Sequence, residues 1–350
     1  MSLTRRGLLA ATSTASVALA AASQVTEAQA ADAPTGPVPM PAAPVAAGPM
    51  ADMPRGMVLA TLRTGSGFNL AVRTAKGVMD VPRAAAILGM PAPFTMNDVM
   101  RGGHNTTLQH LVAAALASPK AASAFVPEAE AKFGPCVTDP EKILCVGYNY
   151  RPHAKEAGAA IPTTPILFNK FNNSLNWHRG DIKLPTKVST KFDYEIELVI
   201  VIGREAVDVP EERALDYVLG YATGNDFSSR DLQFATSQFM LGKSSDGYAP
   251  LGPWLVGADM VPDPDSLNLE CRVNGQVRQS SNTRELIFGC KTLISFCSRH
   301  FTLKPGDIIF TGTPEGVILG MPKDKQVWLK AGDQIACSVE HLGELTFGLV

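Results

Sequence analysis

The stretch KFDYEIELVIVIG, residues 191–203, limits what this chain can fold into more than any other segment. Its second half, Leu198-Val199-Ile200-Val201-Ile202, is a short β-branched run of the kind that becomes a buried strand. Asp193, Glu195 and Glu197 alternate through its first half. Side chains two apart on a strand point to one face, so with a rise of ~3.3 Å per residue Glu195 and Glu197 stand about 7 Å apart. Two carboxylates entering a sheet together repel one another unless something positive sits between them.

The rest of the chain can supply the surrounding structure. Its 350 residues are 45% hydrophobic and 18% charged, enough for a sizeable core, and the length is that of about two domains. A net charge of −2 leaves no electrostatic footprint for nucleic acid. Thr4-Arg5-Arg6-Gly7-Leu8-Leu9 is a twin-arginine pattern, followed by a weakly apolar segment to Ala22 and an Ala28-Gln29-Ala30 ending suited to signal cleavage. Residues 1–30 are therefore expected to be an export signal that engages the twin-arginine machinery and delivers the protein to the periplasm or outside the cell. An unstructured tail or a short membrane helix is the alternative, though the segment is polar and short for a span. Residues 31–54, rich in Pro and Ala, read as an extended linker. The six cysteines are dispersed, several within apolar runs and without metal-type spacing, and are expected to be buried free thiols.

Residues 55–135 read as a small N-terminal domain, with RGMVLATLRTG and NLAVRTAKGVMDVPRA as short strands around a Gly turn, the segments near 97–118 and 119–133 as helices or loops, and no evident chemistry; residues 136–350 are expected to form a second, β-rich domain. In it, EERALDYVLGYA has helical spacing before a strand ending at Asn225-Asp226. Asn274-Gly275 predicts a hairpin, and Thr283 is expected to cap a helix carrying Leu286, Ile287, Cys290, Leu293, Ile294 and Cys297. Further strands are expected at DIKLP and near 307–311, 325–330 and 334–350. The fold class expected is α+β and β-rich, with antiparallel pieces dominating.

Three groups of residues could carry chemistry. Glu195 and Glu197 share a face, and Asp226, in GYATGNDFSSRD, could reach it from a loop; three carboxylates suit Mg²⁺, Mn²⁺ or Ca²⁺. Read alone, E-x-E also fits an exposed strand with solvated carboxylates, and Asp193 fits that description best. In GYNYRPHAKEAG, His153 and Glu156 are three apart, so on a helical turn the carboxylate can orient the imidazole as a proton shuttle; a loop histidine beside a solvated glutamate is the alternative. Arg230 and Lys243 lie in loops rich in Gly, Ser and Pro, and with the Thr311-Gly312-Thr313-Pro314 segment could hold an organic acid. Lys170 could act similarly or be a surface lysine.

In this order, CVGYNYRPHAKE, PILFNKF, FDYEIELVIVIG, GYATGNDFSSRDLQ, GKSSDGYAPLGPWLV, NGQVRQSSNT and GDIIFTGTPEGV resemble the fumarylacetoacetate hydrolase family over about residues 143–350. Residues 55–135 resemble its small N-terminal domain more loosely. The resemblance implies a mixed β-roll catalytic domain, usually homodimeric, around Mg²⁺ or Mn²⁺. It places Glu195, Glu197 and Asp226 as metal ligands and His153 with Glu156 as the catalytic pair. Lys243 assists catalysis, while Arg230, Gln233 and Thr313 contact substrate. NWHRGD and SSDGY depart from the usual pattern near the substrate pocket. The reaction implied is metal-dependent hydrolysis of a C–C bond in a 2,4-diketo acid such as an acylpyruvate. Isomerases, decarboxylases and lyases of 2-oxo and 2-hydroxy acids are the nearest alternative. A non-catalytic oxo-acid-binding protein is a further one, against which the presence of both His153 and Glu156 argues.

Overall fold

The computed structural model describes residues 53–350 apart from Ser66 and Gly103. The twin-arginine pattern, the cleavage site and all but the last two residues of the linker lie outside the described residues.

The described residues begin with β1 (Val58–Arg63), β2 (Phe68–Thr74), β3 (Gly77–Asp80), helices α1 (Val81–Leu88), α2 (Met96–Met100) and α3 (Asn105–Ala117), and β4 (Phe125–Val126). They continue with β5 (Ile143–Gly147), α4 (Arg151–Glu156), β6 (Ile166–Lys170), β7 (Leu175–Asn176), β8 (Phe192–Asp193), β9 (Ile196–Ile202) and β10 (Val218–Asn225). Next come β11 (Ser228–Ser229), α5 (Arg230–Gln233), α6 (Met240–Lys243), β12 (Ala249–Pro250), β13 (Leu255–Gly257), β14 (Asn268–Val273) and β15 (Gln276–Asn282). The last elements are α7 (Cys290–His300), β16 (Ile308–Phe310), β17 (Gln334–Val339) and β18 (Gly343–Gly348).

Ten strands form one mixed sheet in the order β4-β3-β2-β1-β13-β10-β9-β16-β5-β6, and four form a second, antiparallel one in the order β15-β14-β17-β18. Within the large sheet β16 and β5 run parallel while the other pairs are antiparallel. Every residue of β9 is buried, because both of its faces are covered. Ile196, Leu198, Ile200 and Ile202 join a core shared with Cys271, Cys337, Leu345 and Phe347 of the small sheet. Val199 and Val201 point the other way, into a core with Val81 and Ala84 of α1 and Leu108 and Leu111 of α3. Helix α1 sits where the sequence asks for it: the Asp80 carboxylate caps the Arg83 N–H, Pro82 occupies the first turn, and Gly89 closes the helix at φ +63°. The architecture is the β-rich α+β arrangement expected.

Asn274 and Gly275, at φ +50° and +78°, make the β14–β15 turn. The helix expected from Thr283 begins instead at Cys290; Thr283–Glu285 is a 3-10 turn capped by Asn282, and Leu286 pairs with Tyr150 in an isolated bridge. Glu211–Tyr217 is also 3-10 rather than α-helix, with Ala214 as its buried residue. Ile182 and Leu329 make single bridges where strands were expected. Leu286, Ile182 and Leu329 are each fastened by a single bridge, which hydrophobic spacing alone does not distinguish from a regular element. The six cysteines are buried and unbridged.

Candidate metal centre

Backbone pairing builds the carboxylate cluster. In the antiparallel β9–β10 ladder Glu197 faces Gly224 and Ile196 faces Asn225, so one step farther Glu195 faces Asp226. The Asp226 N–H donates to the Glu195 carbonyl at 2.8 Å, which carries the ladder past the strand ends. Opposed residues share a face, and so do residues two apart; all three side chains therefore converge. One oxygen from each lies within 4.8 Å of the others. Glu195, Glu197 and Asp226 are only 5%, 2% and 0% exposed, which overturns the alternative of a solvated strand face.

Three buried cations answer them. Lys243, at the end of α6, places Nζ 2.7 Å from Glu195 Oε2 and 2.8 Å from Asp226 Oδ2. Lys170, at the end of β6, donates to Asp226 Oδ1 and to the Phe227 carbonyl. Arg230, opening α5, donates from Nε to Asp193 Oδ2 at 2.8 Å and from Nη1 to Gln233 Oε1 at 2.9 Å. Its Nη2 forms an ion pair with Glu195 Oε1 at 2.7 Å, without a well-directed hydrogen bond.

With Asp193 the cluster holds four carboxylates against three cations, and the imbalance falls on Glu197. Its one hydrogen bond comes from the Gly312 N–H at 2.7 Å, and no cation pairs with it among the described residues. Burial, then the charges of Asp226 and Glu195, push the Glu197 carboxyl well above the usual carboxylate range. Burial works on Glu195 too, but Arg230 and Lys243 outweigh it and hold that group down to about 2. A divalent cation beside Glu197 would more than offset that unpaired negative charge, and buried carboxylate oxygens are the hard donors that Mg²⁺ and Mn²⁺ take. The residues present fit such an ion.

Asp193 is not the solvated acid expected from the sequence. It is fully buried, and besides Arg230 it accepts the N–H groups of Tyr194 at 3.0 Å, Ile318 at 2.9 Å and Leu319 at 3.0 Å. It thereby ties the 318–320 turn to the arginine that touches Glu195. Gln279, on β15, fixes the other side: its Oε1 accepts the Ile196 N–H at 3.0 Å, and its Nε2 donates to Thr313 Oγ1 at 2.8 Å and the Pro314 carbonyl at 2.9 Å.

His153 and Glu156 lie on α4, as H-x-x-E spacing on a helical turn requires, with Nδ1 and Oε2 3.3 Å apart. The imidazole is buried and stacks on Tyr148 at 5.9 Å between centroids and 21° between planes. Glu156 also accepts the Gly316 N–H at 3.1 Å, so the carboxylate is held from two directions. A solvated loop pair is thereby excluded.

All nine sequence-assigned residues line one cavity of about 580 Å³. Their engagement differs. Arg230 Nε and Nη1 and the Oε1 of Gln233 are engaged within the protein, Arg230 Nη2 is ion-paired with Glu195, and Thr313 Oγ1 donates to the Ile196 carbonyl at 2.9 Å. Arg230 thus bears on the centre through Glu195. Sequence reasoning missed Asp193 and Gln279 and left Lys170 open. Asp193 had a signal, its parity with Glu195 and Glu197; Gln279 lies in NGQVRQSSNT, a segment of the family resemblance, but nothing local singles it out among the mostly polar residues of that strand.

The family model for the fumarylacetoacetate (FAA) hydrolase C-terminal region matches residues 142–350. A fumarylacetoacetate hydrolase domain-containing protein 2 homolog from Dictyostelium discoideum is 48% identical over 217 residues, 59% of this chain and 70% of that protein. The mitochondrial oxaloacetate tautomerase FAHD2A of Homo sapiens is 39% identical over 253 residues, 72% of this chain and 78% of that protein. Among solved structures, the fumarylacetoacetate hydrolase of psychrophilic Exiguobacterium antarcticum has a TM-score of 0.65 at 30% identity, covering 84% of this chain and 99% of its own. The fumarylpyruvate hydrolase of Pseudomonas aeruginosa, in complex with Mn²⁺ and pyruvate, has a TM-score of 0.55 at 33% identity, covering 62% and 91%. With its fold, its buried carboxylate cluster and a match over most of its length, the chain belongs to the fumarylacetoacetate hydrolase family.

Proposed function

We propose that this protein is a divalent-metal-dependent enzyme that cleaves the C–C bond between C3 and C4 of a 2,4-dioxo acid, an acylpyruvate, with water. The observation that carries the reading is the joining of two devices in one cavity: the carboxylate cluster short of one positive charge, and the His153–Glu156 pair. The Mn²⁺ and pyruvate in the Pseudomonas aeruginosa relative support the same kind of ligand here.

When bound by Glu195, Glu197 and Asp226, a divalent cation would supply Lewis-acid stabilisation of negative charge on the oxygens of a 2-oxo acid. Lys243 and Arg230 lock Glu195 in place, and Lys243 with Lys170 does the same for Asp226, so the donor set is organised before substrate arrives. His153 takes a proton from water, with Glu156 orienting its Nδ1 side. The oxygen of that water bonds to C4; the C3–C4 bond breaks, its electron pair passes to the enolate of pyruvate, and the proton on His153 returns to C3. The products are pyruvate and the free acid.

A second reading is tautomerisation of a 2-oxo acid, which needs the same enolate but no attacking water. The names of relatives 39–42% identical, oxaloacetate tautomerases, favour it. The two are separated by following acetylpyruvate and longer acylpyruvates by ultraviolet absorbance with Mg²⁺ or Mn²⁺ and then with excess chelator. Metal-dependent loss with pyruvate and free acid as products supports hydrolysis. Intact acylpyruvate together with faster enol–keto conversion of oxaloacetate selects tautomerisation. We further propose export by the twin-arginine route and a homodimeric assembly, on the sequence grounds given above.

A further inference from the structure

Beyond the carboxylate cluster, one side of the cavity is a series of three aromatic rings. Phe168, on β6, has its ring centre 5.2 Å from Lys243 Nζ, at the edge of the charged cluster. The Phe239 ring lies edge-on to Phe168 at 5.6 Å and 73°, and Phe234 lies edge-on to Phe239 at 5.9 Å and 73°. All three line the cavity, and the series leads from the buried lysine to Phe234, which is 48% exposed. An aromatic ring left half in solvent at the mouth of a cavity offers apolar area that a ligand can cover.

The charged residues of the same cavity point to the same kind of ligand. Arg230 and Lys243 are buried and matched by Asp193, Glu195 and Asp226. Lys323 is the remaining lysine or arginine of the lining, and it is exposed. A second carboxylate far from the 2-oxo end would lose water without a buried cation to replace it, whereas a hydrocarbon arm would meet ring edges and faces.

We propose that the substrate is a 2-oxo acid with an apolar arm of several carbons laid along Phe168, Phe239 and Phe234, and not a second acidic group. This rests on the reading of the site as one for 2-oxo acids; it fits hydrolysis of an acylpyruvate or tautomerisation of a monocarboxylic 2-oxo acid, and efficient tautomerisation of dicarboxylic oxaloacetate would count against it. It also sets this chain apart from relatives whose names specify the dicarboxylic oxaloacetate and fumarylpyruvate.

The test uses binding, so it stands whether or not acylpyruvates are cleaved. The Mn²⁺-loaded protein is titrated calorimetrically with pyruvate, 2-oxohexanoate, 2-oxooctanoate and the dicarboxylic 2-oxoadipate. The expected result is a Kd that tightens with chain length by up to ~4-fold per methylene, with 2-oxoadipate at least ~10-fold weaker than 2-oxohexanoate. Phe239→Ala is expected to flatten the chain-length dependence. If that variant does not fold, Phe234→Ala, at a half-exposed position, carries the comparison. A Kd independent of chain length, or 2-oxoadipate binding as tightly as 2-oxohexanoate, overturns the proposal. Steep chain-length dependence without acylpyruvate turnover would retain it and reject hydrolysis. Cleavage without chain-length dependence would do the reverse, and no binding of any 2-oxo acid would overturn both.

Discussion

Glu156 fills the space that a side chain at residue 320 would need: a Cβ on Gly320 would lie 2.2 Å from the Glu156 carboxyl carbon. The group in the way is the end of a flexible side chain rather than backbone, so Gly320→Ala is expected to fold and to displace Glu156 from His153. The expected outcome is a thermal midpoint within about 2 °C of the parent and a kcat lower by ~10–100-fold, close to that of Glu156→Gln. Parent-like kcat in Gly320→Ala would remove the orienting role given to Glu156.

Asp193 and Arg230 form a buried ion pair that also secures the Ile318 and Leu319 N–H groups. Asp193→Asn keeps one acceptor oxygen, enough for the Ile318 N–H on Oδ1, but sets an amide NH2 against the Leu319 N–H and the Arg230 Nε that share Oδ2, and leaves the guanidinium with Glu195 as its remaining carboxylate. Breaking a buried pair from one side costs about 3–5 kcal/mol, and loss of an outer partner of a metal ligand typically costs ~10–100-fold in metal affinity. Urea unfolding and Mn²⁺ titration of the variant check both; a change under ~1 kcal/mol with unchanged affinity would show that Arg230 does not need Asp193.

Gly312 combines a positive φ of +104° with the N–H that holds Glu197, and a Cβ there would come 2.8 Å from Asn149 Cβ and 3.0 Å from the Val146 carbonyl. Gly312→Ala is expected to cost about 1–3 kcal/mol from backbone strain and to weaken metal binding, since the donor to Glu197 shifts with it. Thermal unfolding with and without Mn²⁺ reads both effects.

His178 provides a pH test away from the centre. Burial, then the neighbouring Arg179, hold its imidazole down to about 4, and its Nδ1 accepts the Thr346 N–H at 3.2 Å. The folded value lies below the ordinary ~6.5, so the unfolded chain takes up the proton first as the pH falls. The stabilisation is whole above ~6.5 and is lost as pH drops toward 4. Urea midpoints measured from pH 7 to 5 are expected to fall less steeply in His178→Gln than in the parent; parallel slopes would contradict the assignment.

The sequence made the centre legible because its residues follow backbone periodicity. Glu195 and Glu197 share a strand face, Asp226 directly follows the strand paired with β9, and His153 and Glu156 sit three apart on a short helix. What escaped was set by long-range contact. Gln279 is 83 residues from Ile196, which it holds, and nothing local marks it among the polar residues of β15. Asp193 shares the parity of the two glutamates, yet only the position of the 318–320 turn reveals that it is buried and paired. The misplaced start of α7 has the same origin, since Leu286 and Ile287 are fastened to Tyr150 and Asn149, far along the chain.

Binding of a divalent cation by Glu195, Glu197 and Asp226 is the central property proposed for the site. The direct measurement is a calorimetric titration of the metal-free protein with Mn²⁺, alongside Glu197→Gln. One Mn²⁺ per chain, with affinity at least ~10-fold weaker in the variant, is the result expected. Equal affinity in the parent and Glu197→Gln, or no binding by the parent, would contradict it.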